Sequence, residues 1–190
     1  TAAATSAPSN SLPDAAESAH AAEQMRSFRT RMRIKVEGGD VPSPCVTFEA
    51  LMRVGADYDE LDAEARLRSR QFLLRNVEAS RYKEPTAVQM QASPAMLMRR
   101  DVLAVAPTGS GKTAAFLLPT LALLVQTSVS KRAAGAGPRS LLLAPTTELA
   151  AQLFREAERL RLGGGRHVRR CVLLNRARAA SLLSAAAASE

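Results

Sequence analysis

Eight residues constrain this chain more than any others: Ala106-Pro107-Thr108-Gly109-Ser110-Gly111-Lys112-Thr113. The apolar run Asp101-Val-Leu-Ala-Val-Ala106 leads into them, and an apolar stretch with helical character, Ala114 to Val125, follows. Strand, glycine turn and helix in that order make a phosphate-binding loop. Glycines at 109 and 111 let successive backbone N–H groups turn toward one anion, where a Cβ would be an obstacle. The helix beginning near Gly111 adds unsatisfied N–H groups and the positive end of its dipole. Lys112 supplies a point charge for the β- and γ-phosphates, and the Thr113 hydroxyl is the candidate ligand for Mg²⁺. The strict pattern asks for Gly where this chain has Ala106, and an ordinary βα turn with purely geometric glycines is the alternative.

At 190 residues the chain is long enough for one sizeable α/β core. A formal net charge of +8 points to a polyanionic partner. The two cysteines, Cys45 and Cys171, have no metal-ligand spacing and suggest a reducing compartment. No apolar run approaches the roughly 18 residues of a membrane span, so no membrane partner is expected. Asp14, Glu17 and Glu23, all ahead of the first arginine, argue against a transit peptide.

Residues 1–45 read as a disordered or extended basic tail and linker. Residues 1–27 are mostly Ala, Ser, Pro and short polar residues, too poor in apolar surface to offset ordering entropy. Ala15 to Ser27 has the composition of a weak helix. Phe28-Arg-Thr-Arg-Met-Arg-Ile-Lys-Val36 alternates basic and apolar residues, as either a solvated arm or an RNA-touching one. Gly38 to Pro44 is linker chemistry.

Residues 46–190 read as the α/β domain. Thr47 is positioned to cap a short helix containing Phe48, Leu51 and Met52. Leu61, Ala65, Phe72, Leu73 and Val77 recur at helical spacing up to Ala79. A helix over 86–98 would turn Val88, Ala92, Ala95 and Met96 inward, with Pro94 as an internal complication. The reading continues with strand 101–106, helix 112–126, strand 140–144, helix 147–161, a Gly163-Gly-Gly165 turn, strand 167–174 and helix 176–188. Leu/Val runs rather than alternations predict a parallel sheet flanked by helices.

Two further stretches lie on either side of the loop. Upstream is Arg81-Tyr82-Lys83-Glu84-Pro85-Thr86-Ala87-Val88-Gln89, and downstream is Pro145-Thr146-Thr147-Glu148-Leu149-Ala150-Ala151-Gln152. With the loop between them, the chain resembles the DEAD-box ATP-dependent RNA helicases of superfamily 2. The stretches look like the Q motif (81–89), motif I (106–113) and motif Ia (145–152), and that family's loop usually starts with Ala. The resemblance implies an incomplete RecA-like P-loop NTPase domain, with ATP and Mg²⁺ as cofactors and RNA as partner. It implies nucleotide contacts from Tyr82, Gln89, Thr108, Gly109, Ser110, Gly111, Lys112 and Thr113, Lys112 and Thr113 being the catalytic pair. Pro145, Thr146 and Glu148 would meet RNA phosphates. A Gln amide suits Gln89 to reading adenine N6 and N7 together, and Tyr82 falls where the family places an aromatic ring. Thr146 or Thr147 capping a helix, with Glu148 in its first turn, is a compatible structural reading of the last stretch.

Three departures accompany the resemblance. Arg81 replaces a usual Gly, Thr147 replaces a usual Arg, and no Asp-Glu-Ala-Asp or Ser-Ala-Thr occurs. A chain stopping after motif Ia is expected to bind ATP without sustained hydrolysis or unwinding, lacking a second carboxylate anchor for Mg²⁺. The arginines at 159, 161, 166, 169, 170, 176 and 178 form a solvated or phosphate-touching basic surface. The lead-in from Ile34 to Pro44, followed by Thr47-Phe48-Glu49, is similar to members serving ribosome assembly. That likeness implies pre-ribosomal protein partners and a nuclear or nucleolar location. The competing readings are a non-catalytic basic RNA-binding module and an unrelated P-loop kinase or GTPase, the last disfavoured by Gln89 and motif Ia.

Overall fold

The computed structural model describes residues 15–54, 63–127 and 139–162. The chain divides into two compact units, Thr1–Glu37 and Gly38–Glu190.

The first unit contains α1 (Ala15–Arg31). Ala, Glu, Gln, Met and Arg are all good helix formers, which explains its persistence with little apolar surface. It runs past the weak helix expected to end at Ser27 and takes in the start of the basic arm. Glu23 and Arg26 pair at 2.8 Å on the open surface, where such a pair adds little.

In the second unit the Thr47 hydroxyl accepts a hydrogen bond from the Ala50 N–H at 3.1 Å, capping α2 (Phe48–Leu51). Then come α3 (Ala63–Ala79), α4 (Ala87–Leu97), α5 (Lys112–Thr127) and α6 (Thr147–Leu162). Helix α5 is central and packs on α3, α4 and α6. Its Leu117, Leu118 and Ala122 are buried with Phe48, Leu51, Val77, Leu97, Ala157 and Leu160. Burial of each large apolar side chain there contributes roughly 1.5–3 kcal/mol.

The stretches 101–106 and 140–144 carry no regular secondary structure, and no strand occurs among the described residues. A parallel strand exists only through a neighbour that takes its N–H and C=O groups. Leu103 is 94% and Leu143 83% exposed, so the apolar runs read as two-sided burial are open to solvent here. The expected strand 167–174, helix 176–188 and glycine turn 163–165 lie outside the described residues.

Helix α4 turns a different face inward from the one hydropathy suggested. Of Val88, Ala92, Ala95 and Met96, only Ala92 is buried; Gln89, Met90, Ser93, Pro94 and Leu97 join it. The two polar residues are tolerated because each finds a partner: Gln89 Nε2 donates to Gly111 C=O and Ser93 Oγ to Ala115 C=O.

Both internal prolines are absorbed in the same way. A proline has no N–H for the carbonyl four residues back. Pro94 thereby frees Met90 C=O, which accepts the Cys45 N–H at 2.8 Å. Gln91 Nε2 donates to Pro42 C=O at 2.9 Å. These two bonds strap the segment ahead of α2 along α4.

Helices α1, α3 and α4 end in one motif with one irregularity. Arg33, Arg81 and Arg99 have φ of 54°, 57° and 58°, in the left-handed region. After α3, Arg81 N–H reaches Glu78 C=O (2.9 Å) and Tyr82 N–H reaches Val77 C=O (3.1 Å). After α4, Arg99 pairs with Met96 and Arg100 with Ala95 in the same pattern. This is the Schellman termination, whose left-handed residue is ordinarily Gly. The usual Gly at position 81 thus has a conformational reason, and Arg there costs about 1–2 kcal/mol of backbone energy. Gly's greater freedom in the unfolded chain and the lost helix-terminus charge return part of that. Combining Arg81→Gly with Arg99→Gly should raise stability by about 1 kcal/mol in urea unfolding. A loss of stability would show that the arginine side chains contribute more than their backbones cost.

Candidate phosphate-loop site

The segment 101–106 delivers the chain to a turn in which Ser110 N–H meets Pro107 C=O at 3.3 Å. Gly109 and Gly111 take φ of +77° and +88°. Gly109 has open space around it, so only its backbone angle calls for glycine. Gly111 is constrained twice, because an added Cβ would lie 2.5 Å from Gln89 Nε2 and 3.0 Å from Thr86 Oγ1. Helix α5 starts at Lys112, so its free N–H groups belong to the loop. The Lys112 ammonium folds back to donate to Ala106 C=O and, at 2.6 Å, to Pro107 C=O. Thr113 is half-buried in the first turn, whereas Thr108 and Gly109 are exposed. Ser110 Oγ is buried without a hydrogen-bond partner among the described residues. Such a group marks a place where an acceptor or donor is missing.

Gln89 links α4 to this loop. Its Oε1 accepts from Thr86 N–H (3.1 Å), closing the N-terminus of α4, while Nε2 donates to Gly111 C=O (3.1 Å). One Nε2 proton and one Oε1 lone pair remain uncommitted by these bonds.

Tyr82 is placed against Phe48 and α6. Its ring stacks on Phe48 with centroids 6.4 Å apart, and the Arg159 guanidinium lies 5.6 Å from its centroid. The Tyr82 hydroxyl donates to Glu156 (3.1 Å) and accepts from Arg159 (2.9 Å). Burial, then the Glu156 charge, push the Tyr82 pKa above its usual value. The hydrogen bond from Arg159 holds the Glu156 carboxyl below its usual value. Arg159, expected on an open basic surface, is therefore tied to Glu156 and Tyr82, and the arginines from 161 onward lie where no side chain is described. Phe48 is a core residue.

At the start of α6, Thr146 Oγ1 accepts the Leu149 N–H at 3.2 Å. Glu148 sits in the first turn, where its charge opposes the positive helix end favourably. Pro145, Thr146 and Glu148 are all exposed. The capping reading is thus realised, and their side chains face solvent.

Residues 86–185 match the family described as DEAD/DEAH box helicase. The chain belongs to the DEAD/DEAH box helicase family. It is 40% identical over 150 residues to the probable ATP-dependent RNA helicase ddx52 of Dictyostelium discoideum, covering 79% of this chain and 20% of that one. It is 40% identical over 139 residues to the ATP-dependent RNA helicase ROK1 of Eremothecium gossypii, covering 73% and 22%. Among solved structures it is similar to the RNA helicase Prp28 from Chaetomium thermophilum bound to ADP. That likeness has 35% identity and a TM-score of 0.52, covering 74% of this chain and 30% of that one. The chain spans about a fifth of the length of the curated relatives it matches.

Within this family frame, the structure brings together Thr86, Gln89 and the loop, and groups Tyr82 separately with Glu156 and Arg159. Sequence reasoning missed Ser93 and Glu156, and gave Arg159 a different role. The signal for Ser93 was available: Pro119 four residues after Ala115 announces a carbonyl that the helix cannot satisfy. The Glu156–Arg159 spacing of three likewise announces a pair on one helix face.

Proposed function

We propose that the chain is the nucleotide-binding part of an ATP-dependent RNA helicase. The observation that carries this reading is the Gln89 carboxamide bonded to Gly111 C=O. It sets a group able to read adenine against a loop built to receive phosphates. The second Nε2 proton suits adenine N7 and the second Oε1 lone pair suits the N6 amine, a pattern guanine does not match. Loop N–H groups, Lys112 and the Ser110 hydroxyl, which has no partner among the described residues, would hold the β- and γ-phosphates, and Thr113 Oγ1 would join Mg²⁺. ATP supplies a phosphoanhydride whose cleavage drives RNA remodelling in the complete protein. The chain's own residues fix the polyphosphate and neutralise its charge.

The domain is read as RecA-like, with 101–106 and 140–144 as strands of a parallel sheet. Their exposed Leu and Val side chains and the likeness to Prp28 support that reading. RNA is the proposed partner of the exposed Pro145, Thr146 and Glu148 segment. The lead-in from Ile34 to Pro44 supports a role in ribosome assembly and a nuclear or nucleolar site of action, with pre-ribosomal proteins as further partners.

Titration with fluorescent ADP and GDP tests the nucleotide site. Saturable ADP binding is expected, with GDP at least about tenfold weaker and the preference lost in Gln89→Ala, since an unmatched buried polar group costs about 1–3 kcal/mol. A folded chain that binds neither nucleotide would overturn the reading and leave its basic surface as the functional part. Stronger GDP than ADP binding would point to a guanine-specific P-loop enzyme instead.

A further inference from the structure

Helix α5 contains Pro119, so the Ala115 carbonyl has no N–H four residues on to accept from. Ala115 and Pro119 are both buried, which denies that carbonyl bulk water. The Ser93 hydroxyl, itself 0% exposed, donates to it at 2.9 Å. One turn earlier on α4, Gln89 Nε2 donates to the C=O of Gly111, the residue just ahead of α5. Two side chains four residues apart thus bond two carbonyls four residues apart. Lys112 and Thr113 lie between these rungs, in the turn closed by the Ala115 N–H to Gly111 C=O bond of 3.0 Å.

We propose that Ser93 is a positioning residue for the phosphate loop, fixing the first turn of α5 through the carbonyl that Pro119 leaves open. The proposal rests on the nucleotide reading above for its effect on ligands, but its structural half is independent of it. Without the hydroxyl, the Ala115 carbonyl is an unsatisfied buried acceptor. The turn carrying Lys112 and Thr113 then relaxes to find it a partner, and the donors of the loop lose their common focus. Preorganised donors are what such a site offers a polyphosphate, so affinity falls with their order.

The decisive experiment is a cycle of Ser93→Ala, Pro119→Ala and the double variant in the full 190-residue chain. Ala at 119 restores a backbone N–H to the Ala115 carbonyl, making the Ser93 hydroxyl dispensable. Ser93→Ala alone should weaken ADP binding about tenfold, the equivalent of one unmet buried hydrogen bond. The double variant should return to within about twofold of the parent. Without nucleotide, amide exchange at residues 115–117, the first bonded amides of α5, should quicken in Ser93→Ala and slow again in the double variant. Unchanged exchange in Ser93→Ala, or loosening that Pro119→Ala fails to repair, would overturn the proposal. If the parent chain bound no ADP, the nucleotide reading would fail while the exchange cycle still decided the positioning role. A lower melting temperature with unaltered exchange at 115–117 and unaltered ADP affinity would assign Ser93 to packing alone.

Discussion

Lys112→Ala should weaken ADP binding roughly thirty- to a hundredfold while leaving the fold intact. The magnitude follows from charge and position. A lysine ammonium about 4 Å from a phosphate charge gains about 4 kcal/mol at the effective dielectric of a protein surface. Binding must first detach the ammonium from Ala106 C=O and Pro107 C=O, bonds it makes in the present arrangement. Each such exchange costs about 1 kcal/mol or less, because both carbonyls lie where water can replace the donor. With two such exchanges about 2–3 kcal/mol remains, which is roughly thirty- to a hundredfold in affinity. Stability should hardly change, since Lys112 contributes no side chain to the core cluster. Raising salt should weaken the parent more than the variant, because part of the attraction is screened. ADP affinity unchanged by the substitution would place the phosphates elsewhere and remove the loop from the proposed function.

Much of this arrangement is legible in the chain because local chemistry and tertiary structure agree. Thr47 before Phe48, Thr146 before Thr147, and Gly109 with Gly111 before Lys112 each announce a helix start. All three starts are found: α2 at Phe48, α5 at Lys112 and α6 at Thr147. Legibility failed where a tertiary partner changed the meaning of a residue. Hydropathy assigns Gln89 and Ser93 to solvent, yet both are buried because carbonyls of α5 await them. It assigns Val88 and Met96 to the core, yet neither is fully buried. Arg159 looked like one of a row of free cations until Glu156 and Tyr82 were brought to it. Arg81 departs from the family's Gly, and only its φ of 57° shows that the requirement concerned the backbone. The apolar runs 101–106 and 140–144 have strand composition, but a strand is a property of a pair.

The second large effect is expected at Asn76, where replacing a polar residue should strengthen the fold. Asn76 lies on α3 beside the core residue Val77 and is 1% exposed. Its backbone carbonyl is satisfied by Ser80 N–H at 2.9 Å. Its side chain is not: neither Oδ1 nor Nδ2 has a partner among the described residues. An unmet buried polar atom costs about 1–3 kcal/mol, and the carboxamide carries two of them. Leu shares the branched heavy-atom outline of Asn but carries bulkier methyls, so some packing strain offsets the gain; it has no polar atom to satisfy and is the better helix former by about 0.5 kcal/mol. Asn76→Leu should therefore raise unfolding free energy by about 1 kcal/mol in urea titration, with unchanged slope. Asn76→Ala removes the same polar atoms but leaves a cavity, so its gain and loss should nearly cancel. Asn76→Asp buries a charge and should cost at least about 3 kcal/mol at neutral pH. The order Leu above Ala above Asp is the test. Placing the parent above the Leu variant would mean that the carboxamide is bonded in solution. In that case Asn76 would belong with Gln89 and Ser93 as a third buried amide or hydroxyl kept for its partner.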